Sequence, residues 1–218
     1  MISFLNKVFQ KIIELLFPKD EAARLIEEIS AAELLEKADN RENFDGSGIE
    51  SILSYRHPLA RRLIWLLKYE KDEKAVKLCA ELALERIIAI SEEKLPSDVL
   101  PILLPIPLGP SRLRERGYNQ VLLIAEGMFK MGGEKFFELQ PDVLIKIKDT
   151  PSQTKIENRV QRLKNLENCF AIKNSEIIQG REIIVLDDVT TTGATFSEAS
   201  KTLENSGAKN IHCIAIAH

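Results

Sequence analysis

Residues 183–195 read Ile-Ile-Val-Leu-Asp-Asp-Val-Thr-Thr-Thr-Gly-Ala-Thr. The first four residues are apolar and predict a buried strand, and Asp187 and Asp188 follow at the carboxyl end of that strand. Helical spacing resumes over residues 196–205, with Gly207 as a typical stop. The first amides of a helix have no internal partner, and the helix dipole favours an anion there. We therefore expect a phosphate-binding turn between the strand and the helix.

Two carboxylates next to a phosphate site would repel the ligand, unless the ligand offers them hydroxyl donors or a divalent cation lies between. A phosphorylated ribose satisfies both conditions. The stretch resembles the motif with which type I phosphoribosyltransferases bind PRPP, the 5-phosphoribosyl donor. The resemblance implies that Asp187 and Asp188 are the catalytic acids and hold the 2′ and 3′ hydroxyls. It also implies a 5′-phosphate site made by Thr190, Thr191, Thr192, Gly193, Ala194 and Thr195.

Other kinds of protein also place acids after a strand. A P-loop ATPase does so, but the chain contains no G-x-x-x-x-G-K-[ST] pattern. A phosphate-accepting receiver domain keeps most of its fold after the acids, whereas 30 residues follow Asp188 here. The plainest alternative is a strand end with two solvated acids and a helix cap, and the length of the full pattern disfavours it.

The composition indicates one globular domain with an appendage. At 218 residues and 44% apolar content, the chain is long enough for a substantial core. The formal net charge of −3 provides no overall basic field for nucleic acid. Cys79, Cys169 and Cys213 are widely spaced, which predicts neither disulfides nor a metal site. No apolar run is long enough to span a membrane and no signal peptide is recognisable, so we expect a soluble, cytoplasmic protein.

Residues 1–45 are expected to form a helical N-terminal appendage, and residues 46–218 a phosphoribosyltransferase-like domain. Residues 2–17 have apolar positions at helical spacing, which is typical of a helix that docks on the core or a partner, or of a membrane-surface anchor. The small number of lysines on its polar face favours docking. A second helical stretch covers residues 20–37, and a polar loop follows over residues 38–48.

A second anion-binding segment is predicted in the middle of the chain. Helices are expected over residues 55–69, 74–90 and 119–131, and a strand over residues 99–107 leads into an arginine-rich loop at 109–117. Such arginines on their own are typical of a solvated surface. Loops at the carboxyl ends of parallel strands share one edge, so this loop and the phosphate turn are expected to face one ligand. Arginine forks suit the oxygens of a pyrophosphate.

A long polar segment is expected to act as a flexible lid. Strands are predicted over residues 142–148, 170–172 and 211–217. Residues 149–168 are polar and charged and are too long for a simple connection, which favours a lid. The predicted lid residues are Lys148, Thr150, Gln153 and Arg159.

Several further segments form a second signature. They are Leu66-Leu67-Lys68-Tyr69, Pro105-Ile106-Pro107-Leu108, Arg114-Glu115-Arg116-Gly117-Tyr118-Asn119-Gln120, and the spaced Thr150, Gln153, Arg159 and Asn165. Together with residues 183–195, this signature resembles the ComF family of competence-associated, phosphoribosyltransferase-like proteins, over about residues 50–218. The predicted pyrophosphate site consists of Gly109, Arg112, Arg114, Arg116 and Lys68.

The chain departs from that family in two places. Family members commonly carry a cysteine-bearing zinc module near residues 19–23, where this chain has neither a thiol nor an imidazole. Lys146 and Lys148 stand where an arginine is expected, which keeps the charge but not the bidentate geometry.

The sequence therefore predicts an α/β fold of the type I phosphoribosyltransferase kind, with a mostly parallel sheet of about five strands flanked by helices. The predicted reaction is Mg²⁺-dependent transfer of 5-phosphoribosyl from PRPP to an unknown acceptor, a nucleobase or an amine, with release of pyrophosphate. Mg²⁺ is expected to be held mainly by substrate oxygens and not directly by the protein. No histidine of the chain is identified as a general base.

The alternative is a non-catalytic PRPP- or phosphate-binding protein that acts in DNA uptake through single-stranded DNA or protein partners. Basic clusters at residues 112–116 and 155–164 favour this interpretation, although no aromatic residues are interleaved there for base stacking. A third alternative is membrane recruitment through residues 2–17.

Overall fold

The computed structural model describes residues 21–39, 48–94, 99–149 and 166–218. Several predictions fall outside these residues, namely the helix at 2–17, the basic cluster at 155–164, and the lid residues Thr150, Gln153 and Arg159. Within the described residues, no helix is both long enough and apolar enough to cross a membrane.

Seven strands form two sheets in the described part of the chain. They are β1 (Ile49–Leu53), β2 (Ile102–Pro105), β3 (Glu138–Leu139), β4 (Leu144–Lys146), β5 (Phe170–Ile172), β6 (Glu182–Val189) and β7 (Asn210–Ala217). The main sheet has the order β1-β7-β6-β2-β3, and all of its pairings are parallel. Strands β4 and β5 form a separate antiparallel pair. This arrangement confirms the predicted α/β fold with a parallel five-stranded sheet.

The helices are α1 (Glu21–Glu28), α2 (Ala31–Ala38), α3 (Pro58–Trp65), α4 (Glu73–Lys94), α5 (Pro110–Arg116), α6 (Gln120–Lys130) and α7 (Ala194–Asn205). A π-helical turn, Leu66–Glu70, continues directly from α3. Side chains cap several helix starts: Ser30 forms a capping box at α2, His57 caps α3 and Asn119 caps α6. These caps satisfy amides that the helices themselves leave without partners.

The middle of the central strand β6, Ile183–Leu186, is apolar without alternation because both faces of the strand are covered. Ile184 and Leu186 belong to the hydrophobic cluster that contains α4 and α6, whereas Ile183 and Val185 belong to the cluster that contains α7. Successive side chains of a strand point to opposite faces, so a strand between two helical layers needs apolar residues at every position.

Strands β2 and β6 are neighbours in the sheet, and the chain leaves them toward opposite sides of the sheet. From β2 the chain runs through α5 and α6 to β3, and from β6 it runs through α7 to β7. Helices α6 and α7 lie on opposite faces of the sheet. A crevice therefore opens between the carboxyl ends of β2 and β6, which is where open α/β sheets bind ligands.

The structure corrects five details of the sequence prediction. The expected loop at 109–117 is mostly a helix, α5, with Gly109 as its N-cap residue and Gly117, with φ 80°, as its C-cap residue. Strands β1 and β3 were not predicted because they are short and lie at the sheet edges. The predicted strand at 142–148 is shorter and pairs with β5 outside the main sheet. The stretch at 20–37 is two helices, separated at Ser30, and the helix at 55–69 becomes a π turn after Trp65.

Helices α1 and α2 share the hydrophobic core of the main sheet. Ile26 and Leu34 are buried in one cluster with Leu53 and Leu63. The division of the chain at residue 45 stays a prediction.

Candidate functional site

The acid pair lies inside strand β6 and is buried. Asp187 is 9% exposed and Asp188 is 4% exposed, which excludes the alternative of two solvated acids that the sequence pattern already disfavoured. Asp188 N donates to Asp187 Oδ1 at 2.8 Å. Burial, followed by the negative charge of Asp188, raises the pKa of Asp187 to about 8.

The predicted phosphate turn follows the acids directly. Thr190 is buried and its amide donates to Ala217 O at 3.0 Å, which ties the start of the turn to β7. Gly193 has φ 72°, a left-handed conformation that favours glycine, and it begins α7. Ser197 N donates to Gly193 O at 2.8 Å, which starts the backbone hydrogen bonding of α7 directly after the turn. Of the remaining predicted members, Thr191 and Thr192 lie in the turn, Thr195 belongs to the first turn of α7, and Ala194 is buried in the hydrophobic cluster that contains α7.

Lys68 reaches the acid pair from the π-helical turn. Its Nζ lies 3.2 Å from Asp188 Oδ2. π-helical turns are rare and often occur at functional sites, and here the extra residue of the turn carries Lys68 toward the sheet edge. Lys71 ends the turn in a left-handed conformation, with φ 50°. The structure shows Lys68 as an ion-pair partner of Asp188, and its assignment to pyrophosphate stays a prediction.

Gln120 connects the acid pair to the arginine-rich helix. Its Nε2 donates to Asp188 Oδ2 at 2.8 Å, and its Oε1 accepts a hydrogen bond from Arg116 Nη1. The guanidinium of Arg116 also lies 5.6 Å from the ring centroid of Tyr69. Gln120 is part of the second signature, but the sequence alone predicts no role for it.

The other predicted pyrophosphate residues lie on α5. Arg114 is exposed and its Nη2 is 3.4 Å from Ser111 Oγ, while Arg112 is half-buried. The carboxylate of Asp149 lies at the start of this helix and accepts from Ser111 N at 2.9 Å and from Ser111 Oγ at 2.5 Å. A Cβ at Gly109 would be 2.7 Å from Asp149 Oδ1, so glycine is needed for this close approach. The hydrogen bonds from Ser111 lower the pKa of Asp149.

Lys146 is a further cation of the site that the sequence prediction did not include. It extends from β4, and its Nζ is 5.5 Å from the ring centroid of Phe170. Burial lowers its pKa, and the charge of Arg112 adds to this, while Asp187 and Asp149 act in the opposite direction. The pKa of Lys146 therefore responds to charges on the acid pair, on α5 and on Asp149. Lys148, predicted for the lid, is exposed and its Nζ is 3.5 Å from Glu167 O.

His218 also lies at this edge, although its sequence context assigned it no role. Its Nε2 is 3.1 Å from Thr191 O in the phosphate turn. Its backbone donates to Leu53 O at 3.0 Å and accepts from Tyr55 N at 2.7 Å, which pins it between β1 and the turn. A single sequence contains no signal for this contact.

The acid pair offers part of a site for Mg²⁺. Carboxylate oxygens are the hard ligands that Mg²⁺ prefers, and it needs an octahedral shell. Among the described residues, no three His, Cys, Asp or Glu side chains come together in a way that could hold a metal ion. Mg²⁺ binding stays a prediction, with the ion expected to be held mainly by substrate oxygens and not directly by the protein.

A row of exposed aromatic rings and cations runs from α3 to Arg116. The guanidinium of Arg62 lies 4.4 Å from the ring centroid of Trp65, and the rings of Trp65 and Tyr69 are 5.6 Å apart. Trp65 is 42% exposed and Tyr69 is 66% exposed. We call Arg62, Trp65, Tyr69 and Arg116 the aromatic row. Sequence reasoning found no aromatics next to the arginines because these rings come from a distant segment.

Comparison with known proteins finds relatives of parts of the chain. A family model described as Phosphoribosyl transferase domain matches residues 137–218. The competence protein ComFC of Streptococcus pneumoniae is 37% identical over 111 residues, which are 51% of this chain and 45% of that protein. The DNA utilization protein YhgH of Salmonella typhi is 26% identical over 164 residues, which are 74% of this chain and 67% of that protein.

Among solved structures, the hypoxanthine-guanine phosphoribosyl transferase of L. donovani is 13% identical with a TM-score of 0.38, over 65% of this chain and 67% of that one. The chain spans less than half the length of the Streptococcus relative. The residues of the second signature, the phosphate turn and these sequence relatives agree in their similarity to the ComF family of phosphoribosyltransferase-like proteins.

Proposed function

We propose that the protein binds PRPP together with Mg²⁺ and transfers the 5-phosphoribosyl group to a nitrogen acceptor, a nucleobase or an amine. One observation carries the proposal: a buried acid pair is followed immediately by a glycine-dependent turn and a helix start, at the crevice between β2 and β6. The turn suits the 5′-phosphate, and the acids suit the ribose hydroxyls.

In the proposed reaction, the bond from C1′ to the pyrophosphate oxygen breaks and its electron pair leaves with pyrophosphate. A bond from the acceptor nitrogen to C1′ forms, and that nitrogen loses a proton. Asp187 and Asp188 hold the ribose hydroxyls and favour the positive charge that develops on the sugar. Arg112, Arg116 and Lys146 offer positive charge for the departing pyrophosphate. Bound Mg²⁺ would supply further positive charge on the phosphate oxygens.

Calorimetry of PRPP binding, with and without Mg²⁺, tests the proposal. We expect Mg²⁺-dependent binding by the wild type and its loss in the Asp187→Asn/Asp188→Asn protein. The double variant should stay folded, because asparagine keeps the size of each buried side chain and removes its charge; circular dichroism checks this. Equal affinity of the two proteins would remove the acids from the proposal, and no binding by the wild type would refute PRPP as the ligand.

A second candidate function is binding of single-stranded DNA. The aromatic row favours it, because exposed rings flanked by arginines are the usual combination for stacking bases and neutralising phosphates. Glu70 reduces the positive charge of the aromatic row, since its Oε1 is 3.9 Å from Arg62 Nη2. This function does not exclude PRPP binding, because the row lies outside the acid pair and shares only Arg116 with the proposed pyrophosphate site.

Trp65 is the sole tryptophan of the chain, so its fluorescence reports on the aromatic row. We expect oligothymidine to quench it, with weaker binding as salt increases. Tyr69→Ala should weaken binding about tenfold, since stacking contributes roughly 1–3 kcal/mol per base. Phe129→Ala is a matched control, because Phe129 is an exposed aromatic residue on α6 and is not in the row. Absence of quenching at low salt would refute this function.

A further inference from the structure

Gln120 is buried between two charged side chains. It is 3% exposed and is the first residue of α6. Its amide nitrogen donates to Asp188 Oδ2 at 2.8 Å, and its amide oxygen accepts from Arg116. A reversed amide would set two acceptors against each other at one end and two donors at the other. The two charges therefore fix the orientation of this side chain.

The two preceding residues hold Gln120 in place. Tyr118 Oη donates to Leu67 O at 3.0 Å and accepts from Lys71 N at 3.1 Å, so it bridges the π turn that carries Lys68. Asn119 Nδ2 donates to Ile106 O at 3.0 Å, which ties the start of α6 to the exit of β2. Three consecutive side chains thus reach the π turn, the β2 exit and the acid pair.

We infer that Gln120 is a positioning residue that links Arg116 to Asp188 and sets the relative position of the two halves of the proposed PRPP pocket before the ligand arrives. The inference rests on the proposed function for the identity of the ligand, and the contacts among Arg116, Gln120 and Asp188 are those of the structure. A pocket whose charged groups are already in place binds more tightly, because less ordering remains to be done on binding.

Other groups also act on Asp188, so its response to Arg116 must be separated from theirs. Asp187 lies beside it on β6, and Lys68 reaches it from the π turn. Burial lowers the pKa of Lys146 on β4, and the charge of Asp187 acts in the opposite direction. Burial, followed by the charge of Asp188, raises the pKa of the buried Cys79 thiol on α4. Among the contacts described, Arg116 meets Asp188 through Gln120.

A double-mutant cycle tests the link. Arg116→Leu, Gln120→Leu and the double variant are compared with the wild type by the carboxyl-carbon NMR resonance of Asp188, without ligand, and by PRPP affinity. We expect Arg116→Leu to move the Asp188 resonance when Gln120 is present and to leave it nearly unchanged in the Gln120→Leu background. Each single substitution should weaken PRPP binding about tenfold, and the double variant by clearly less than the product.

The outcomes separate the inference from the proposed function. If Arg116→Leu moves the Asp188 resonance only when Gln120 is present, and the wild type does not bind PRPP, the link is supported and the proposed function is refuted. An Asp188 resonance that ignores Arg116, or effects on PRPP affinity that multiply, would overturn the link while leaving PRPP binding intact. Gln120→Glu replaces Gln120→Leu in the cycle if the leucine variant does not fold. The glutamate keeps the size of the side chain and the contact with Arg116, but when ionised it cannot donate a hydrogen bond to Asp188. Gln179→Leu is the control, since Gln179 is exposed and bonds Ser206 O.

Discussion

The two halves of the proposed pocket are built differently. The acid half consists of consecutive residues, Asp187 to Thr195, anchored in the central strand and in the twelve-residue helix α7. The arginine half is a helix of seven residues, none of them buried, and it is held by side chains from elsewhere, Asp149 and Gln120. The first half is therefore determined by backbone and core packing. The second depends on polar contacts at the surface, and substitutions should affect the halves unequally.

The largest expected effect is in the acid half. Gly193→Val places a β-branched residue at φ 72° and adds bulk to the phosphate turn, so we expect PRPP affinity to fall at least about a hundredfold, near 2.7 kcal/mol. Gly180→Val is a matched control, because Gly180 has φ 65° with open space around it. Both variants should lose stability, on the order of 1–2 kcal/mol in thermal unfolding. Equal PRPP affinities of the two variants would contradict a phosphate role for the turn.

A smaller effect is expected within the arginine half. Arg116→Lys keeps the charge but loses the fork that contacts Gln120, and we expect about tenfold weaker PRPP binding. Arg114→Lys should change affinity by less than about twofold, because Arg114 is exposed and its described contact to Ser111 is long. Calorimetry of both variants checks the ranking. A larger loss at Arg114 would show that the ligand-free contacts do not predict which arginine binds.

Asp149→Asn should produce a gain. The variant removes a negative charge next to Arg114 and Lys146, so we expect pyrophosphate to bind about threefold more tightly at low salt. Asp142→Asn, an exposed acid of the same segment, provides the control. Weaker pyrophosphate binding by Asp149→Asn alone would mean that the Asp149 contacts to Ser111 organise the helix for the ligand.

The last expected effect is the pH dependence of stability, and it is specific to the acid half. The folded-state pKa of Asp187 is raised from 3.8 to about 8, so its neutral form is favoured by folding. That stabilisation is fully present below the unfolded pKa and is lost as pH rises toward 8. The melting temperature of the wild type should therefore decrease between about pH 5 and 8. The melting temperature of the Asp187→Asn protein should decrease less over the same range; an equal decrease would assign the dependence to other groups.

Local sequence predicted the acid half well. The middle of a strand between two helical layers is apolar on both faces, as in Ile183–Leu186, and the turn into α7 needs a residue such as Gly193. Both features involve neighbouring residues, so the sequence alone predicts them. The burial of Asp187 and Asp188 was missed, because polar residues usually mark the end of a strand and the coverage of β6 depends on neighbours. The arginine segment was taken for a loop, since a seven-residue helix leaves little periodicity to detect.

By itself, the sequence determined the parallel α/β fold, the order of acid pair, phosphate turn and helix, and the presence of the arginine-rich signature. Those features depend on residues that are adjacent or spaced by a strand or helix period. The tertiary structure decided which groups meet at the crevice: Lys68 and Gln120 on Asp188, Asp149 on Ser111, His218 on Thr191, and Tyr69 beside Arg116. These contacts join residues far apart in the chain, and packing of the sheet and its two helical layers brings them together.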